Sequence, residues 1–333
     1  MEDGRLTVLE GLDGLAAVPA GSVVSVGNFD GIHLGHERIL STARDHKTRS
    51  GAPAVVVVTF EPHPTTVLRP GAAPPRLTPP ALKRDLLKGR GVDVLVNLPP
   101  APQVLGLSAE QFWEILRDRL RPSHLVEGSS FNFGKDRRGN VKRLAEWSAA
   151  SAVKLDIIDP VSVPLVDMTV APVSSSLVRW LLFNGRARDA AICLGRPYAL
   201  EGRVVKGYQR GKSIGMPTAN LDCAEQLVPD DGVYAARCTV GGRTFATALS
   251  IGTMPTFGDD LKRQVEAHLV GFDGDLYGQL LRVELLDWLR GQKKFAGVEA
   301  LKARLQRDVA ETLERQATDP ARPVARDYDL STP

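Results

Sequence analysis

His33 and His36 stand at i and i+3, with Leu34 and Gly35 between them. Histidines at that spacing share one face of a helix's first turn and can reach one phosphate group together. The residues ahead of them build such a terminus. Val23, Val24, Ser25 and Val26 form a short β-type run; Gly27 follows, then a turn through Asn28, Phe29, Asp30 and Gly31. Strand, glycine turn and helix N-terminus suit a phosphate, because free N–H groups and the helix dipole both favour negative charge. Glycine also lets the phosphate approach the backbone closely. The competing reading is a structural turn with one capping histidine and one solvated one.

Other stretches carry groups of the same kind. Ser174, Ser175 and Ser176 precede a helical run and are followed by Arg179. They present hydroxyls and N–H groups at a second helix N-terminus, and an arginine can clamp a phosphate bidentately; a plain serine cap would need only one of them. Lys206 to Asn220 holds Gly207, Gly211 and Gly215 among the donors Lys206, Gln209, Arg210 and Lys212. That composition suits a flap over a polyphosphate, without the order of a Walker A loop. It ends in Pro217, Thr218, Ala219 and Asn220. Glu266 lies in an alternating β-type run, Val265 to Leu269, where a lone glutamate reads as a surface residue on an edge strand. Phe60, Glu61, Pro62, His63 and Pro64 close an apolar strand, with His63 either lining a ligand or solvated.

The elements that must position these groups follow two periods. Up to about residue 186, strands alternate with helices. Helices are predicted at Glu37–Lys47, Pro80–Lys88, Ser108–Leu120, Val141–Ala150, Leu177–Phe183 and Ala187–Leu194, with Ser108 and Gln111 forming a capping box. Strands are predicted at Pro53–Phe60, Val92–Leu98, Leu125–Glu127 and Val153–Ile158. The unbroken valines of Val55–Val58 fit a parallel sheet covered on both faces. This alternation predicts a doubly wound α/β domain whose ligands bind at the carboxyl ends of the strands. Beyond the Leu194–Tyr198 join, strands are predicted at Ala199–Val205, Gly232–Val240, Arg243–Ile251, Val265–Phe272 and Leu280–Leu286, an antiparallel sheet or barrel. A last helix, Gly297–Ala317, aligns Val298, Leu301, Leu305 and Val309 on one face. The expected domains are residues 1–186 and 187–333.

Composition narrows the function classes. At 333 residues, 43% hydrophobic and 24% charged, the chain is an ordinary globular protein of two domains. A formal net charge of +3 gives no reason to expect nucleic acid or a membrane surface as partner. Cys193, Cys223 and Cys238 form neither a CxxC pair nor an even set, which fits a reducing cytoplasm. No apolar run approaches the length of a membrane span, and the acidic N-terminal residues do not read as a signal peptide.

The stretch Gly27–His36, GNFDGIHLGH, resembles the HxGH signature of nucleotidyltransferases and, at full length, the bacterial bifunctional FAD synthetases, which are riboflavin kinases and FMN adenylyltransferases. Thr59–Pro64 matches a second signature of that family. Glu127–Gly134 resembles its Gly-x-Asp/Asn-Phe-x-Phe-Gly segment, with Ser130 where a carboxylate or amide is usual. Val173–Arg179 resembles Ser-Ser-Thr-x-x-Arg, with Ser176 in place of threonine, and Gly215–Asn220 resembles the riboflavin kinase signature Gly-x-Pro-Thr-Ala-Asn. Pro255-Thr256-Phe257 and Asp275–Gly278 also match, whereas Ser250 and Gly271 replace an asparagine and an aspartate.

The resemblance implies a Rossmann-like nucleotidyltransferase domain followed by an antiparallel riboflavin kinase barrel with a terminal helix. It implies riboflavin, FMN, FAD and ATP as substrates and products, Mg²⁺ as cofactor, and a cytoplasmic monomer or weak homo-oligomer. In the first domain Gly27, Asn28, Phe29, Asp30, Gly31, His33, Gly35 and His36 bind ATP, with Ser175, Ser176 and Arg179 assisting. Phe60, Pro62, His63, Pro64, Ser130 and Phe131 line the flavin. In the second, Gly207, Gly211, Lys212, Gly215, Pro217, Thr218 and Asn220 hold ATP phosphates, Thr218 and Asn220 ligate the metal, and Glu266 is the base. The alternatives are a kinase whose adenylyl-transfer half is weak, prompted by Ser130 and Ser176, nucleotidyl transfer to another acceptor, and a non-catalytic flavin-binding regulator.

Overall fold

The structure is a computed structural model and describes residues 5–207, 215–254 and 262–318. The chain divides into two compact units, Met1–Pro74 with Pro80–Ser162, and Pro75–Pro79 with Val163–Pro333. This division falls ahead of residue 186, so Ser174–Arg179 belongs to the second unit.

The strands are β1 (Thr7–Glu10), β2 (Val23–Val26), β3 (Val55–Phe60), β4 (Val94–Leu98), β5 (His124–Gly128), β6 (Asn132–Phe133), β7 (Gly139–Asn140), β8 (Lys154–Ile158), β9 (Ser162–Pro164), β10 (Val170–Pro172), β11 (Tyr198–Val205), β12 (Ala219–Asp222), β13 (Gly232–Val240), β14 (Arg243–Met254), β15 (Lys262–Leu269) and β16 (Leu280–Arg290). The first unit is built on a parallel sheet in the order β1-β4-β3-β2-β5-β8. The valines of β3 explain why it is covered on both sides. Val56 and Val58 enter one core with Val24, Val96, Phe112 and Trp113; Val55 and Val57 enter the other with Val23, Leu40, Phe29 and Ile32. β-branched side chains suit such a pleated surface.

The order of strands fixes where a ligand belongs. The chain passes from β2 through the helix Leu34–Ser50 to β3 on one side, while β5 pairs with β2 on the other. A crevice opens at the carboxyl ends where the winding reverses. Gly27–His36 follows β2 at that switch point, and Ser129–Phe131 follows β5 across from it.

The second unit holds a closed barrel, β11-β12-β15-β14-β13-β16, antiparallel throughout. Gly241 and Gly242 join β13 to β14 with φ of 55° and 78°, the left-handed pair that a two-residue hairpin matched to strand twist requires.

Several elements differ from the sequence expectation. β1 was not expected, and β12 was read as loop; only four residues long, it pairs with both β11 and β15. β15 stops at Leu269, short of Phe272, because Gly271 turns with a φ of 72°. The Ser108–Leu120 helix has its capping box, but its α-helical part ends at Ile115 and a π-turn over Leu116–Leu120 closes it at the left-handed Arg121. In the last helix, Val298–Thr318, Leu301, Leu305 and Val309 are half-buried as expected and Val298 is exposed, while the fully buried side chains on that same face are the polar Asp308 and Thr312.

Candidate active site

The switch-point turn of the first unit is held in an unusual backbone conformation. Phe29, Gly31 and Ile32 have φ of 45°, 83° and 44°. Left-handed φ is cheap for glycine but strained for a bulky or β-branched residue, at about 1–3 kcal/mol each. Burial enforces it here, since Phe29 and Ile32 are 1% and 0% exposed. Gly27 makes room: a Cβ there would sit 3.3 Å from the Phe29 ring.

The helix begins at Leu34, three residues earlier than expected, because His33 caps it. His33 Nδ1 accepts the His36 N–H at 3.3 Å. A neutral imidazole accepting at Nδ1 carries its proton on Nε2, the form that donates to a phosphate oxygen. The two histidine rings stack at 3.8 Å with 17° between their planes, and His36 packs 4.8 Å from Phe29. So His33 is a capping residue, as the competing reading had it, yet it is buried at the switch point and stacked on a half-buried His36 rather than beside a solvated one.

The turn and the Thr59–Pro64 segment form one hydrogen-bonded body. Thr59 Oγ1 donates to the Asn28 carbonyl at 3.1 Å, and the Asn28 carboxamide lies 3.0 Å from His63 Nε2. His63 Nδ1 is 2.7 Å from Thr65 Oγ1 and accepts the Thr65 N–H at 3.3 Å. This half-buried, multiply bonded ring is not a solvated loop histidine. Phe60 and Pro64 are half-buried and Pro62 exposed around it. Across the switch point, Ser130 is exposed and Phe131 stacks on Phe133 at 5.3 Å.

Two buried side chains here escaped sequence reading. Lys83, in the helix Pro80–Lys88, donates to the Asn28 carbonyl at 3.2 Å and to Glu61 at 3.3 Å. Its signal was a lysine four residues before the core leucine Leu87, on the apolar face. Glu127 accepts the Val26 N–H at 2.7 Å from within the core, and burial raises its pKa well above the usual carboxylate range. Its signal was a lone acid ending an apolar strand.

In the second unit, Ser174 caps the helix Ser175–Phe183 by accepting the Leu177 N–H at 3.1 Å. One serine is thus the plain cap. Ser176 is exposed, and Arg179 Nε donates to the Pro75 carbonyl at 2.8 Å.

The barrel aligns the remaining candidates. Asn220 on β12 pairs with Glu266 on β15, and Glu266 pairs with Ser250 on β14. Directly opposed residues of antiparallel strands share a face, so the three form a row. Their neighbours Val265, Ala267, Leu249 and Ile251 are buried, which puts the row on the other, half-buried face. Asn220 lies against Gly207, where a Cβ would come within 2.1 Å of its carboxamide. His268 Nδ1 donates to the Pro217 carbonyl at 2.8 Å, fixing the approach to Thr218. Gln292 closes the row: its Nε2 donates to Ser250 Oγ at 3.1 Å and to the Ile251 carbonyl at 2.8 Å, over a Gly252 that leaves it space. Nothing in the sequence marked Gln292. Gly215 carries a φ of 78°. Gly211, Lys212 and Pro255–Phe257 lie outside the described residues.

Comparison with known proteins bears on both units. The FAD synthetase family matches residues 15–175 and the riboflavin kinase family residues 194–315. A bifunctional riboflavin kinase/FMN adenylyltransferase of Pseudomonas fluorescens is 35% identical over 92% of this chain and 96% of its own. The chain belongs to the bifunctional riboflavin kinase/FMN adenylyltransferase family. The Escherichia coli K12 member is 33% identical over 91% of this chain and 96% of its own. A crystal structure from Streptococcus pneumoniae, named a macrolide-efflux protein, superposes with a TM-score of 0.83 at 29% identity, over 92% of this chain and 98% of that one. In this member of the family no helix among the described residues is long and apolar enough to cross a membrane.

Proposed function

We propose the following division of labour. The chain is an enzyme of FAD biosynthesis: it phosphorylates riboflavin to FMN with ATP, then transfers AMP from a second ATP to FMN, releasing pyrophosphate. Residues 187–333 carry the first reaction and residues 1–186 the second. Both are in-line transfers at phosphorus, which depend on positioning and charge stabilisation.

In the kinase step Glu266 takes the proton from the riboflavin 5′-hydroxyl as that oxygen attacks the γ-phosphorus and ADP leaves. The row Asn220–Glu266–Ser250 supports this assignment, because it sets a carboxylate beside a carboxamide on one face of the barrel. Thr218 and Asn220 offer neutral, hard oxygen donors that suit Mg²⁺ with phosphates as its other ligands, and they would hold it. The ion, when bound, neutralises phosphate charge. Gly207, Gly211, Lys212, Gly215 and Pro217 complete the phosphate loop.

In the adenylyl step an FMN phosphate oxygen attacks the α-phosphorus of ATP. His33 and His36 donate to the phosphates and stabilise the charge that develops there. Gly27, Asn28, Phe29, Asp30, Gly31 and Gly35 cradle them, and Phe60, Pro62, His63, Pro64, Ser130 and Phe131 line the flavin. The observation that carries this reading is the strained, buried turn at the switch point, since strain held in place by packing clusters at active sites and ligand clamps. The setting is cytoplasmic, with no nucleic-acid or membrane partner, for a monomer or weak homo-oligomer; three buried free cysteines support a reducing compartment.

Incubating the purified chain with riboflavin, ATP and Mg²⁺, and separately with FMN, ATP and Mg²⁺, tests both steps by chromatography. FMN followed by FAD is expected from the first mixture and FAD from the second. FMN alone would mean that the adenylyl half is impaired. Neither product, with tight flavin binding, would overturn the reading in favour of a regulator.

A further inference from the structure

Lys83 is 6% exposed, the only lysine or arginine buried to that degree among the described residues. A charge taken out of water is costly unless well paired. Its pairing is modest. The Glu61 carboxylate is 3.3 Å away and the Asn28 carbonyl 3.2 Å, both longer than the 2.7–2.9 Å or so of a strong charged hydrogen bond. A lysine chosen for stability alone would be outdone at this site by an apolar side chain of similar volume. Polar contacts at active sites are often long before the ligand arrives.

Its position tells what the charge can do. Asn28 opens the turn that leads to His33 and His36, and its carbonyl accepts from Lys83 and from Thr59 Oγ1 while its carboxamide meets His63. Glu61 belongs to the segment that follows β3. Lys83 therefore ties the ends of β2 and β3 together behind the turn. An ammonium has three N–H donors, and the described residues take two of them.

We propose that Lys83 is a positioning residue of the adenylyl transfer: it holds Asn28, and through it the Gly27–His36 turn, and its positive charge favours the anionic nucleotide there. This rests on the reading of that turn as the nucleotide-phosphate site. A purely structural Lys83 would move stability and not turnover.

The full chain supplies its own control, because the barrel makes FMN independently of the turn. Lys83→Met and Lys83→Arg are assayed for FAD from FMN and ATP, with kcat and KM separated, and for FMN from riboflavin, alongside thermal unfolding. The expected result for Lys83→Met is a kcat for FAD lowered at least tenfold, FMN formation within twofold of the parent and an unchanged unfolding temperature, with Lys83→Arg recovering at least a third of the parent kcat. A Lys83→Met kcat within twofold of the parent, or an arginine variant no better than the methionine one, overturns the proposal. Should Lys83→Met not fold, Lys83→Gln, which keeps a donor and drops the charge, is judged by the same criteria. If the parent itself makes no FAD from FMN, the reading of the turn fails instead.

Discussion

Glu127 is a carboxyl whose surroundings hold it away from its solution behaviour. The β2–β5 ladder pairs Val23 with His124 and Val24 with Leu125, and beyond that the strands part. The Glu127 carboxyl bridges the gap by accepting the Val26 N–H at 2.7 Å, one residue before the phosphate turn. Burial is the largest cause of its raised pKa, and the Val26 hydrogen bond only partly opposes it. The folded chain therefore keeps a proton that the unfolded chain loses near pH 4.5. Between that pH and the higher folded pKa the native state binds more protons, so this residue's contribution to stability falls as pH rises. Glu127→Gln keeps an acceptor for Val26 and has no proton to lose. Its urea midpoint should match the parent's near pH 4 and exceed it increasingly towards pH 8. A variant less stable than the parent at pH 8 would show that the carboxylate is ionised and useful. Glu127→Ala should cost about 1–3 kcal/mol at any pH, because it leaves a buried N–H unpaired.

At the scale of elements, the terminal helix shows what the sequence pattern conceals. Periodicity located Val298–Thr318 to within a residue at each end and found its inward face, but not the polar anchor on it. Leu301, Leu305 and Val309 of the apolar stripe are half-buried, and the most covered residue among them is Asp308, its side chain 1% exposed. Arg290 at the end of β16 reaches it at 2.7 Å and Arg304 at 2.9 Å. A charge on an amphipathic helix reads as solvated until its partner, eighteen positions away in the chain, is brought to it. The short strand β12 was missed for the same kind of reason: Ala219–Asp222 has no alternation of its own and exists through β11 and β15. By contrast the valines of β3 and the Gly241–Gly242 turn were legible, because their conformations follow from local sterics. Asp308→Ala strands two arginines, and removing one partner of a buried pair costs about 3–5 kcal/mol. Calorimetry should show that loss. Arg290 ends the strand from which Gln292 reaches Ser250, so FMN formation should fall at temperatures where the variant is still folded. Wild-type FMN formation in a folded Asp308→Ala chain would break that link.

At the scale of the molecule, the switch-point candidates lie in one compact unit and the barrel candidates in the other, while Ser175, Ser176 and Arg179, expected with the first, fall in the second. The signatures stand in chain order, and each is a local backbone device: a strained turn after β2, a short strand after a glycine-rich loop. What could not be read was cooperation across strands. Glu266 was singled out by resemblance, but its setting between Asn220 and Ser250 comes only from the register. Lys83 and Gln292 were unremarked until they reached Asn28 and Ser250. If the switch-point turn and the barrel row run their chemistry separately, a defect in one leaves the other intact, and FMN released by one chain serves another. Glu266→Gln should lose FMN formation by at least a hundredfold and still convert FMN to FAD at the parent rate. His36→Ala should do the reverse, making FMN and little FAD. Neither variant alone then takes riboflavin to FAD. An equimolar mixture of the two should do so, with a lag that shortens as enzyme concentration rises, because the intermediate must cross through solution. FMN that stops at one equivalent per His36→Ala chain and stays bound to it, with no FAD in the mixture, would mean that FMN is handed on within one chain and never released.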